Sequence, residues 1–170
     1  MKKIVVIDGQ GGKLGRLIIE QLRLAASGGS GASGTSSVSG TSGTSSASGA
    51  SGASGTSGDG YRIMAIGTNS IATATMLKAG ADYGATGENP VVVNCRDADI
   101  VVGPIGIIAA NALYGEVTEA MAVAVGSCKG QKVLLPVSRC RIDVMGVSSA
   151  NTTELVNLAV GRVRQLAGDS

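Results

Sequence analysis

The chain opens on an unbroken apolar run, Ile4, Val5, Val6 and Ile7, which ends at Asp8. It continues Gly9-Gln10-Gly11-Gly12-Lys13-Leu14-Gly15, and from Leu14 the period of the pattern changes. Leu14, Leu17, Ile18 and Leu22 fall on one face of a helix, while Arg16, Glu20 and Arg23 fall on the other. A buried strand, a glycine turn and an amphipathic helix in that order form the first half of a βαβ unit. A second apolar strand is predicted over 62–66. A helix over 71–79 follows, with Asn69 or Ser70 as its N-cap and Gly80 as its stop. Residues 82–86 read as a short strand, and Glu88-Asn89-Pro90 as a cap with proline at the first position of a short helix. Further strands are expected over 100–103 and 132–137, with an edge strand over 144–147. The stretch 104–113 reads as a loop entering a helix. Thr118 caps a helix over 119–128, and Asn151 with Glu154 starts a last amphipathic helix reaching about residue 166.

Strands alternating with helices at this spacing predict a three-layer, doubly wound α/β fold with a mainly parallel sheet of five or six strands, Rossmann-like. The 170 residues read as one such domain, interrupted over 27–58 by a segment of almost pure Ser, Gly, Ala and Thr. That composition cannot bury enough surface to offset its ordering entropy, so it reads as a disordered excursion with ends roughly 30 Å apart. It joins the first helix to the second strand, on the rim opposite the glycine turn, where extra length costs little closure entropy.

Composition narrows the chemistry. The chain has no His, which removes the commonest general base and the commonest metal ligand. A net charge of +2, with tyrosine as the sole aromatic type, argues against nucleic acid. No apolar run is long enough to cross a bilayer, and there is no signal-peptide layout, so a cytoplasmic location is expected. Cys95, Cys128 and Cys140 are widely spaced and match no zinc-ligand pattern, so they read as reduced thiols and no metal site is expected. The small residues of 120–125 suit either packing on the sheet or a homodimer face.

The glycine turn reads as an anion cradle. The amides of Gln10 to Lys13 are expected to meet phosphate, with Lys13 adding charge and Gly9, Leu14 and Gly15 shaping the corner. Gly12→Val is expected to leave a folded protein without ligand stabilisation. Asp8 has three readings: a ligand to a ribose hydroxyl or water, a Mg²⁺ carrier beside the phosphate, or a carboxylate tying the turn to its own backbone. Dinucleotide folds place an acid at the end of the second strand to hold a ribose, but Thr68, Asn69 and Ser70 stand there. Open sheets bind ligands beyond the carboxyl ends of their strands. That rule adds Gly103, Pro104, Ile105 and Gly106 as a backbone-lined floor. It also adds Glu88 and Asn89, with Glu88 the best base on the rim, and Ser138, Arg139 and Cys140.

The segments 3–15, 65–73, 84–90 and 103–107 together resemble a family of small bacterial proteins known only as a domain of unknown function. The resemblance implies a Rossmann-like fold and no established activity. The opening alone, through Gly9, Gly12, Leu14 and Gly15, also resembles the cofactor turn of prephenate dehydrogenases, whose catalytic histidine has no counterpart here. The function expected is binding of a nucleotide or small phosphorylated metabolite by a sensor or accessory module. NAD(P) or a mononucleotide, with or without Mg²⁺, would be the cofactor. The alternatives are an NAD(P)-dependent oxidoreductase and a structural oligomer without a ligand.

Overall fold

The computed structural model describes residues 1–27, 60–137, 142–145 and 151–168. The chain runs β1 (Lys2–Asp8), α1 (Lys13–Ser27), β2 (Tyr61–Gly67), α2 (Ser70–Lys78), β3 (Tyr83–Thr86), α3 (Glu88–Asn94), β4 (Ile100–Pro104), α4 (Glu119–Ser127), β5 (Gln131–Leu135) and α5 (Thr152–Ala167). A 3-10 turn, Ile105–Ile108, follows β4. The five strands form one parallel sheet in the order β3-β2-β1-β4-β5. This is a three-layer, Rossmann-like α/β fold, as the alternating pattern predicts.

Both faces of the sheet are covered, which is why its central strands read as continuous apolar runs. One core packs Ile4 and Val6 against Ile18, Ile19 and Leu22 of α1 and against Val156, Val160 and Val163 of α5. The other packs Val5, Ile7 and Val101 against Val91 of α3 and Met121 and Val125 of α4. The buried face of α1 therefore carries Ile18, Ile19 and Leu22, while Leu17 stays partly exposed, one step away from the expected stripe.

The register aligns Asp8 with Gly67, Gly67 with Thr86, and Pro104 with Leu135 on a single rim. The sheet changes winding direction between β1 and β4, so that rim has its crevice beside the glycine turn. Gly60 sits at the other rim, where its carbonyl accepts from the Lys2 amide at 2.9 Å.

Local chemistry sets most boundaries. Asn69 caps α2 by accepting from the Ala72 amide at 2.9 Å, Thr118 caps α4 through the Met121 amide at 3.2 Å, and Asn151 caps α5 through the Glu154 amide at 2.9 Å. Three expectations need correction. Helix α3 starts at Glu88, two residues earlier than expected, so Pro90 is its third residue; its missing N–H still falls among the first-turn amides that need no helical partner. No α-helix grows out of 104–113: Pro104 ends β4, 105–108 form the 3-10 turn, and a compact loop follows. Val144 and Met145 are not in a strand, and residues 146–150 lie outside the described residues. Of the segment expected to be disordered, Ser27 closes α1 and 28–58 lie outside the described residues.

Candidate functional site

The turn between β1 and α1 is built by its own backbone and by Asp8. The Gly12 amide donates to the Gly9 carbonyl at 2.9 Å, which closes the turn. Asp8 is buried, with one carboxylate oxygen accepting from the Gly9 amide and the other from the Gly15 amide, each at 2.8 Å. Of the three readings of Asp8, these contacts match the third, a side chain tying the strand to the first turn of its helix. Gly15 lets this happen, because a Cβ there would lie 3.1 Å from the Asp8 Cβ and would run into Met76. Gly12 sits at φ +67 against α2, and a Cβ there would lie 2.7 Å from the Ala72 carbonyl oxygen and 2.8 Å from its Cα. A valine at this position therefore perturbs the fold, contrary to the sequence-based expectation.

Glu116 completes the turn from the far side. The loop 109–117 leaves the 3-10 turn, closes on itself with the Asn111 amide donating to the Val117 carbonyl at 2.7 Å, and lies over Gly9. One Glu116 oxygen accepts from the Gln10 amide at 2.8 Å, from Asn69 Nδ2 at 3.2 Å and from the Thr68 hydroxyl; the other accepts from Gln10 Nε2 at 2.8 Å. The buried Leu113 side chain packs beside it. Gln10 holds a left-handed conformation at φ 54, a strain that its two bonds to Glu116 offset.

Two of the expected cradle amides are thus engaged by the protein itself: Gln10 by Glu116, and Gly12 by Gly9. Among the described residues, the amides of Gly11, Lys13 and Leu14 have no protein partner. They lie on a cleft of about 650 Å³ lined by Asp8, Gly9, Gln10, Pro104, Leu113, Leu17, Val137 and Thr152. The cleft sits at the β1/β4 reversal, and Lys13 is exposed at its edge.

The remaining rim residues separate. Pro104 lines the cleft, Gly103 is pressed against the Ile7 carbonyl, and Ile105 and Gly106 form the 3-10 turn. Thr68 and Asn69 are held by Glu116, and Ser70 is the exposed first residue of α2. Glu88 and Asn89 are exposed at the start of α3, beyond β3 and away from the cleft. Ser138, Arg139 and Cys140 lie outside the described residues. Cys95 and Cys128 are free and buried; burial, and then the neighbouring Cys128, pushes the Cys95 thiol up to about 11, so it packs rather than reacts.

Glu116 is the residue that the sequence reading missed. The acid absent from the end of β2 comes instead from the loop after β4, some fifty residues along the chain. The one available signal was the unmatched set of donors at Thr68 and Asn69.

The family model for a domain of unknown function, DUF3842, matches residues 53–168. The chain belongs to the DUF3842 family. The DUF3842 match covers more than half of the chain, from β2 through α5, and leaves out β1, the glycine turn and α1. No curated protein and no solved structure shows significant similarity to this DUF3842 member. Among its described residues no helix is long and apolar enough to cross a membrane.

The Glu116 contacts carry a pH dependence. Burial opposes its charge, but donation from Thr68, the Gln10 amide, Asn69 and the Gln10 side chain outweighs that and holds its carboxyl below the ordinary 4.5. A folded-state value below the unfolded one stabilises the fold fully above about 4.5, and that stabilisation is lost as pH falls through the lower folded value. Glu116→Gln should therefore melt below the native protein at pH 7, and the gap should close as pH falls below 4.5 through the lower folded value. Asp97 and Asp99 also titrate low, but they are common to both proteins and cancel in the difference. A gap in melting temperature that stays constant with pH would contradict a charged Glu116 as the stabilising partner.

Proposed function

We propose that this protein binds a nucleotide or phosphorylated metabolite in the cleft beside the glycine turn, as a sensor or accessory module of the cytoplasm. The supporting observation is the cleft at the β1/β4 reversal, where the amides of Gly11, Lys13 and Leu14, unpartnered among the described residues, meet at one end of α1. The Lys13 and Leu14 amides belong to the first helical turn, whose dipole favours an anion, and the exposed Lys13 ammonium adds a mobile positive charge. Leu17, Leu113 and Val137 supply apolar wall for the rest of a small ligand. A sensor or accessory role is supported by the lining itself: among the described residues of the cleft the one carboxylate, Asp8, accepts from backbone amides.

A thermal-shift panel of NAD, NADP, FAD, ATP, GTP, inorganic phosphate and Mg²⁺ tests the reading. A ligand at a hundred times its Kd should stabilise the fold by about 2.7 kcal/mol. Gly11→Asp supplies the control. A Cβ at Gly11 meets nothing nearer than Lys13 Cγ at 4.0 Å, and the backbone there is not left-handed, so the fold should tolerate it. The new carboxylate should weaken anion binding by roughly tenfold to a hundredfold, with stability changed by about 0.5 kcal/mol or less. A ligand response unchanged in Gly11→Asp would remove the turn from the site.

A further inference from the structure

Glu116 sits on the β2 side of the glycine turn, against Thr68 and Asn69, while Leu113 lies on Gly9 and also lines the open cleft. In a dinucleotide-binding sheet the adenosine lies between the first turn and the end of the second strand, with its ribose hydroxyls held by an acid there. In this protein that place is filled. Glu116 draws together the Gln10 amide, the Thr68 hydroxyl and the Asn69 amide group, the donors nearest a ribose position. Leu113 lies on Gly9, with its Cδ1 at 2.7 Å from where a Gly9 Cβ would be. The loop that delivers them is compact, closed by backbone bonds among Asn111, Ala112, Gly115 and Val117.

We infer that Glu116, with Leu113 beside it, sets the specificity of the cleft by standing where a nucleoside's ribose would stand, so that the protein takes a compact phosphorylated metabolite and gains no affinity from an attached adenosine. The inference rests on the anion reading above and narrows its ligand class. A nucleoside could reach the β2 side only by displacing the Glu116 carboxylate from Gln10, Thr68 and Asn69, whereas a small phosphate ester in the cleft leaves those bonds intact. The open cleft lies on the β4–β5 side, where Pro104 and Val137 leave room for a short carbon skeleton.

The test compares inorganic pyrophosphate with ADP, which carries the same anionic head plus adenosine. On the native protein, calorimetry should give the two affinities within about threefold of each other. In Glu116→Ser, which frees the donors, ADP should tighten by roughly tenfold, the worth of one or two recovered hydrogen bonds, while pyrophosphate stays unchanged. Native protein that prefers ADP by tenfold or more, or a Glu116→Ser variant with an unchanged ratio, overturns the inference. Amide spectra of the native protein give a second readout that needs no variant. Pyrophosphate and ADP should both shift Gly11, Lys13 and Leu14 and leave Gln10 and Thr68 in place; Gln10 moving with ADP as far as Gly11 does would overturn it. Pyrophosphate binding with an unchanged ratio leaves the anion reading standing, whereas no binding of either ligand to any variant removes both.

Discussion

Gly12→Val is expected to cost on the order of 4 kcal/mol, combining overpacking with a left-handed backbone imposed on a β-branched residue. The added Cβ would meet the Ala72 backbone of α2 at 2.7–2.8 Å, and a helix backbone cannot rotate away as a side chain could. Relief requires α2 to move off the turn, yet α2 is tied to that turn by Asn69, whose side chain donates to the Gln10 carbonyl at 2.8 Å. Against a total stability of about 5–15 kcal/mol, the melting temperature should fall by roughly 10–20 °C, or the protein should fail to accumulate. Gly11→Ala, one position earlier, should be nearly silent. Denaturant melts of the two variants side by side check the contrast. A Gly12→Val protein as stable as the native one would show that the turn and α2 are not in contact.

Asp8→Ala should be the second costly change, at about 2–4 kcal/mol. It leaves two amides, those of Gly9 and Gly15, without their acceptor in a buried setting. Both bonds hold the turn onto α1, so the loss falls on the strand–helix junction. Asp8→Asn keeps the shape and one acceptor oxygen, and should recover about half of the deficit. Urea midpoints at pH 7 measure the series. Should Asp8→Ala unfold at the native midpoint and instead abolish a Mg²⁺ response, the carboxylate would be a ligand and its ties to the backbone incidental.

The two predictions show which parts of the protein could be read from the sequence. The strand at 4–7, the caps at Thr118 and Asn151 and the buried pair Ile18 and Leu22 are local signals, written by period and side-chain chemistry within a few residues. Asp8 was legible as a set of choices: a short acid at the mouth of a glycine turn has few partners, and the structure selects the nearest backbone. Glu116 was not legible. Its partners lie about fifty and one hundred residues away, so nothing near it in the chain marks it as more than a surface acid before a helix cap. The loop 109–117 was hidden for a related reason. Leu113 and Tyr114 are left-handed without being glycine or asparagine, so residue type announces the turn only in part, at Asn111 and Gly115. Leu17 misled in the opposite direction: its helical phase suits the core, yet it faces the cleft.

The strand order gives β1 a role that its length does not suggest. Strand β2 pairs with β3 on its far side, and β4 pairs with β5, but among the described residues β2 and β4 are bridged only through β1. Without residues 2–8 the sheet would be two separate two-stranded ladders, each exposing a bare edge at what is now the centre of the molecule. The matched segment, 53–168, lacks the strand that joins its two halves within the sheet. It is the first strand, bearing the turn at its tip, that works as the keystone joining the two halves.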